Sequence, residues 1–143
     1  MTPARRRRPG SARSRWCAIE AECGVVPVAS LWVGEIRETV VGFLSMIVGS
    51  VDPVERRLGG AEIPRIYIIG PAQRTGLGRL LVDAAIEQAT TESLPHVWLD
   101  VMASATAARR AYAKWGFREI GTRQFEKPVK SGLFDMIVLM KEV

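Results

Sequence analysis

The stretch "AQRTGLGRLL", residues 72–81, constrains this chain more than any other. It places two glycines two positions apart, behind a strand-like run "RIYII" (65–69) and ahead of an amphipathic run "GRLLVDAAIEQA" (78–89). A strand, a glycine loop and a helix N-terminus form a ready anion site, because backbone N–H groups point outward there and the helix dipole favours negative charge. The spacing separates the nucleotide loops that share this arrangement. A P-loop ends in Gly-Lys-Ser/Thr, whereas Gly78 is followed by Arg79 and Leu80. A dinucleotide fingerprint needs a third glycine three residues after the second, and Leu81 stands there. What remains is Q-x-x-G-x-G, Gln73 to Gly78.

A chain of 143 residues, 48% hydrophobic and 24% charged, fits one soluble domain with a single core. The longest apolar stretch, "TVVGFLSMIVGSV" (39–51), is shorter than the ~20 residues a spanning helix needs and suits a buried strand. No secretory signal is visible, since the N-terminal arginines run into "PGSARSR" rather than an apolar core, so a cytoplasmic location and no membrane partner are expected. The formal charge of +5 comes from 20 Lys+Arg against 15 Asp+Glu, but six arginines lie in the first fifteen residues, where there is no acid. Without them the balance is 14 against 15, so residues 1–15 read as a basic disordered tail on a near-neutral domain at 16–143. Nucleic acid is therefore not the expected partner, because phosphate contacts need clustered Lys and Arg. Cys17 and Cys23 make neither a disulfide framework nor a metal site, and no metal is implied. The single His96, after Pro95 at the mouth of a strand, reads as a surface or edge residue.

The chain alternates strand and helix patterns. Residues 15–22 predict a first strand. Residues 30–36 and 39–48 flank Arg37-Glu38 and predict a hairpin. Residues 49–60 are turn material, and 63–69 a fourth strand. The helix after the glycine loop presents Leu77, Leu80, Leu81, Ala84 and Gln88 at intervals of three and four. A short apolar run, 96–102, predicts a buried strand. Ser104 or Thr106 would then cap a helix carrying Ala108, Tyr112 and Trp115 on one face, ended by Gly116. Strands at 117–127 and 134–143 close a mixed α/β domain around one sheet.

Two segments in this order carry a family resemblance. "QRTGLG" resembles the pyrophosphate-binding loop of the GNAT acyl-CoA N-acyltransferases. "VWLDVMASATAARRAYAKWGFREIG" (97–121) resembles that family's strand-plus-helix segment, through Ala108, Tyr112, Gly116 and Phe117. The resemblance covers residues 31–143 and implies an α/β GNAT fold with its N-terminal helices shortened or absent. "IPRIYII" and "VWLDV…AYAKWGF" look most like the small-amine branch that includes polyamine acetyltransferases, and "LDV…GFREIGTR" is similar to acetyltransferases of protein N-terminal amines.

The resemblance implies acetyl-CoA as co-substrate and direct transfer of its acetyl group to a primary amine. It places the CoA pyrophosphate on the loop of Gln73, Arg74, Thr75, Gly76, Leu77, Gly78 and Arg79, with backbone N–H groups near Ile68 and Ile69 on the pantetheine arm or the thioester carbonyl. In the family the fourth strand splays from the fifth and pantetheine fills the gap. Tyr112 stands where relatives carry a Tyr that protonates or anchors the sulfur, and Glu62 where many carry a base working through water; Glu35 is a weaker candidate. A positioned phenol near ~10 can serve a thiol near ~8.5, and a Lys-like amine near ~10.4 must lose a proton before attack.

Three positions depart from the pattern. Ala105 stands where the family places an Asn that bonds pantetheine, leaving Ser104 and Thr106 to substitute. Gly70-Pro71 shifts a proline by one. The residues before the hairpin are too few for the usual first strand and two helices, which wall the acceptor site; a homodimer would complete that wall. Two other functions stay open on these grounds: a GNAT-like domain that binds CoA or a partner without catalysis, and a nucleic-acid binder acting through its arginine tail.

Overall fold

A computed structural model describes residues 13–19, 29–124 and 135–143. Seven strands form one sheet in the order β1-β2-β3-β4-β5-β7-β6, with β1 Arg13–Ile19, β2 Ala29–Ile36, β3 Thr39–Val48, β4 Ala61–Ile68, β5 His96–Met102, β6 Arg118–Gln124 and β7 Asp135–Glu142. Helix α1 (Leu77–Thr91) joins β4 to β5, and α2 (Thr106–Lys114) joins β5 to β6. This is the mixed α/β domain the sequence predicts. β1 takes in Arg13, Ser14 and Arg15, the end of the segment read as tail. Residues 1–12, Cys23 and the stretch 20–28, on which the expectation of shortened helices falls, lie outside the described residues.

The hairpin forms as expected. Arg37 and Glu38 both take positive φ (50° and 67°), the combination that lets a two-residue turn match the twist of its strands. All neighbours in the sheet are antiparallel except β4 and β5. That parallel pair is brief: only Ala61↔Val97 and Glu62↔Trp98 are in register. Pro64, which has no N–H to donate, sits just beyond the last pair, beside a register irregularity opposite Ser45–Ile47. From there β4 and β5 diverge and leave a wedge between two unpaired strand edges.

The core lies under α1 and α2. Leu77, Leu81, Val82, Ala85 and Ala89 of α1 are buried with Trp32, Leu44, Met46, Ile63 and Leu99 of the sheet. The predicted face of α1 is thus turned by about one position: Leu80 is 41% exposed, and the buried stripe runs through Ala85 and Ala89, whose small side chains let the helix approach the strands. A Cβ on Gly34 would lie 2.6 Å from Leu77 Cδ1, so β2 accepts the first residue of α1 only because it lacks a side chain there. That contact fixes the height of the glycine loop above the sheet.

Two further expectations are corrected. His96 is fully buried rather than at the surface. It is enclosed at the start of β5 against Gly60, where a Cβ would collide with Nε2, and neither ring nitrogen has a hydrogen-bond partner among the described residues. Burial, reinforced by the nearby Arg57 charge, lowers its pKa below the usual histidine range. Neither Ser104 nor Thr106 caps α2: the N-cap is Ala105, without a side-chain bond. The C-terminus does follow its glycine. Gly116 has φ 91°, its N–H reaches Ala113 O (3.2 Å) and the Phe117 N–H reaches Tyr112 O (3.0 Å), a Schellman closure. That closure tucks Phe117 beneath Tyr112.

The turn segment 49–60 is organised by one buried side chain. Asp52 Oδ1 accepts from the N–H groups of Val54 (3.1 Å), Glu55 (2.6 Å) and Arg56 (3.1 Å), and Oδ2 from that of Arg57 (2.9 Å). Burial acts to raise this carboxyl, yet the four donors hold it below the ordinary carboxylate value.

Candidate functional site

The glycine loop is built as an anion cradle. Arg74 (φ 62°) and Gly76 (φ 85°) both take the left-handed conformation, two residues apart, which curls successive N–H groups toward one side. Thr75 Oγ1 donates to Ala72 O (2.6 Å) and staples the turn. The amides of Arg74 through Arg79 meet no acceptor among the described residues; the first amide of the segment that does is Leu80, on Gly76 O (3.2 Å). These free donors sit at the positive end of a fifteen-residue helix. Arg79 adds charge from an exposed side chain, loosely paired with Asp83 at 3.7 Å.

A groove of about 760 Å³ runs from this cradle along the wedge between β4 and α2. Of the residues expected to hold CoA, it gathers Ile68, Gln73, Arg74, Gly76, Gly78, Arg79, Ser104 and Thr106, together with Tyr112. Three others contribute differently. The Leu77 side chain is core and offers only its N–H. The Thr75 hydroxyl is used inside the turn. Ile69 is corrected: its N–H donates to Val41 O (2.9 Å) on β3 and so faces away from the wedge. Alternation along the strand then directs the backbone of Ile66 and Ile68 into the wedge. Consistent with this, Ile68 O accepts from Gln73 Nε2 (3.2 Å) rather than from a ladder partner.

A second groove, about 750 Å³, carries Phe43, Arg65, Tyr67, Asp100, Met102 and Met136. Strand alternation puts Phe43 and Tyr67, whose rings lie 6.2 Å apart, on the face opposite Leu44 and the helices. The two grooves meet through the wedge: Ile66, Ala105, Ala108 and Tyr112 belong to both. Tyr112 therefore stands at the junction, its ring packed edge-on against Trp115 (5.5 Å) and Phe117 (5.7 Å). Burial pushes its phenol up to about 12, so it keeps its proton across the ordinary pH range and remains available to donate it in a hydrogen bond.

Glu62, expected as a base working through water, stands apart from both grooves. It lies where β4 and β5 are still paired and accepts from Ser50 Oγ (2.6 Å). Glu35 lies on β2 opposite Val40 and also outside both grooves. The one carboxylate in the described lining of the second groove is Asp100, on the part of β5 that β4 leaves unpaired, paired with Arg123 of β6. The sequence reading missed it, although an acid inside the apolar run "VWLDV" was a signal of a side chain turned toward something polar.

A split mixed sheet with a cradle of free amides at the open end of the split is a surface suited to an extended anionic ligand. The chain belongs to the acetyltransferase (GNAT) family, whose model matches residues 4–117. Among curated proteins it is 37% identical over 82 residues to the [Ribosomal protein bS18]-alanine N-acetyltransferase of Salmonella typhimurium; that match covers 57% of this chain and 55% of the relative, so the chain spans about half the length of the curated protein it matches. Among solved structures, a GNAT family acetyltransferase from Elizabethkingia anophelis with acetyl-CoA bound superposes with a TM-score of 0.70 at 16% identity, covering 91% of this chain and 98% of that one. The ribosomal-protein-S18-alanine N-acetyltransferase from Escherichia coli gives 0.70 at 20% identity, covering 92% and 94%. The expected fold is the observed one. Among the described residues no helix is long and apolar enough to cross a membrane, and no cluster of His, Cys, Asp and Glu could hold a metal ion.

Proposed function

We propose that this protein transfers the acetyl group of acetyl-CoA to a primary amine, and that the amine is the N-terminal α-amine of a peptide or protein. The observation that carries this reading is the junction at Tyr112, where a groove leading from the amide cradle meets a groove on the other face of the sheet. A thioester entering by one and an amine entering by the other meet without either leaving its wall.

The free amides of Arg74–Arg79 and the Arg79 side chain suit a diphosphate, and the wedge edge of β4 suits an extended amide-bearing arm. Bound acetyl-CoA supplies an activated acyl group. Around it, the Ile68 N–H is placed to receive the charge that develops on a carbonyl oxygen. Asp100 orients the attacking amine and accepts a hydrogen bond from it. The proton that the nitrogen loses as the carbon–nitrogen bond forms passes by this route to solvent, from which the departing thiolate is protonated. The Tyr112 O–H donates to the sulfur as the carbon–sulfur bond breaks; a phenol at about 12 stabilises a thiolate by hydrogen bonding better than by surrendering its proton. The α-amine is favoured over a Lys-like amine because it is near ~7.7–8.0 and already partly neutral at physiological pH, which relaxes the demand for a strong base. The likeness to bacterial ribosomal-protein-alanine N-acetyltransferases supports the same choice.

The test is acetyl transfer to peptides beginning with Ala or Ser against spermidine, followed by mass spectrometry with the modified nitrogen located by fragmentation. Acetylation of the peptide α-amine is the expected result; modification of spermidine alone refutes the acceptor. A second reading, CoA binding without transfer, is favoured by Ala105, which lies at the junction with no polar side chain. It predicts saturable acetyl-CoA binding with no product from any amine.

A further inference from the structure

The second groove carries few charged side chains. Its described lining holds one acid, Asp100, and one base, Arg65. Asp100 is paired through Oδ2 with Arg123 of β6. Arg65 is exposed at the bend of β4, next to Pro64, and has no ion pair among the described residues. With Asp100 already balanced by Arg123, the described lining of the groove presents one uncompensated positive charge in the groove that also carries this carboxylate.

We infer that the acceptor is a peptide N-terminus with an acidic residue in its second position, its ammonium end at Asp100 and its side-chain carboxylate on the Arg65 guanidinium. This rests on the N-terminal amine reading above. A polyamine, or a peptide continuing with Lys or Arg, brings a second cation against Arg65 and is disfavoured by like-charge repulsion. An extended peptide advances only ~3.3–3.6 Å per residue, so a second-position side chain stays within the groove. The exposed Tyr67 and Met102 line the rest of its path.

The experiment compares two hexapeptides that differ only at position 2, one beginning Ala-Glu and the other Ala-Lys, in kcat/KM and in binding. Binding is read by anisotropy of C-terminally labelled peptides with the protein saturated in CoA. The acidic peptide is expected to be favoured by at least ~3-fold at low salt, the scale of one exposed ion pair, with the preference shrinking as KCl is added. Arg65→Ala removes the preference and Arg65→Glu inverts it. Equal use of the two peptides, a preference that Arg65→Glu does not alter, or binding of neither peptide at millimolar concentration overturns the inference. If neither peptide is acetylated, the binding arm still reads the charge preference, so failure of the acetyl-transfer reading is told apart from failure of this one.

Discussion

Tyr112→Phe removes one oxygen from the junction of the two grooves and little else. The ring keeps its edge-on contacts with Trp115 and Phe117, and the side chain is 5% exposed, so packing is retained and stability changes by less than about 1 kcal/mol. The catalytic effect is set by what the phenol does. Held up to about 12, it lies some way above a thiol near ~8.5; complete proton transfer to the departing sulfur would run uphill by roughly 5 kcal/mol. A hydrogen bond to a charged partner contributes ~1.5–3 kcal/mol, so its loss lowers kcat by about 10- to 150-fold. Acetyl-CoA affinity should move less than ~3-fold, because ground-state binding uses the loop amides. Stopped assays with saturating peptide, calorimetry for acetyl-CoA and a pH series together test this. No basic limb assignable to Tyr112 should appear below about pH 10, since the group keeps its proton. A Tyr112→Phe enzyme with wild-type kcat, or one whose loss lies wholly in acetyl-CoA binding, would refute the donor role and leave Tyr112 as a packing residue.

Asp100→Asn should lower kcat/KM for the amine by roughly 10- to 100-fold while leaving acetyl-CoA affinity unchanged, as steady-state kinetics with calorimetry would show; Glu62→Gln, outside both grooves, should change kcat by less than ~3-fold. Asp52→Ala strands the N–H groups of Val54, Glu55, Arg56 and Arg57 and should cost about 3 kcal/mol in urea unfolding. His96 has a folded pKa below its unfolded value, so the unfolded chain binds the extra proton. Its contribution is complete above the unfolded value near ~6.5 and is lost as pH falls through that value toward the folded one. Urea midpoints should therefore drop between pH 7.5 and 5, and the drop should be smaller in His96→Leu.

Much of the fold was legible because local signals agreed with one another. The hairpin turn at Arg37-Glu38, the glycine loop and the glycine after Trp115 each demand a particular backbone, and each stands between segments of matching period. The amide cradle was legible for the same reason: two glycines two apart and a helix start are local facts. The second groove was not. Whether a strand residue faces a ladder or a wedge depends on where pairing stops, and that is set by Pro64 and a register irregularity shared with β3. Glu62 and Asp100 look alike in sequence, yet one lies in the closed part of the β4–β5 pair and the other at its open end. Ile68 and Ile69 differ only in parity. His96 reads as an edge residue because Pro95 precedes it; its burial follows from Gly60, a distant partner that offers no side chain. The orientation of α1 was obscured by Ala85 and Ala89, which carry little hydrophobic signal but mark the line of closest approach.

The most direct test of the account is calorimetric titration of acetyl-CoA into the wild-type protein and into Gly76→Glu. At φ 85° and with no heavy atom within 4 Å of its missing Cβ, position 76 projects any side chain into the space above the free amides. Saturable one-to-one binding by the wild type is expected, weakened at least ~10-fold in a variant whose folding is verified by circular dichroism, because the carboxylate occupies the diphosphate's place and repels it. Absence of binding by the wild type, or equal affinity in the variant, would contradict the claim that this loop holds acetyl-CoA.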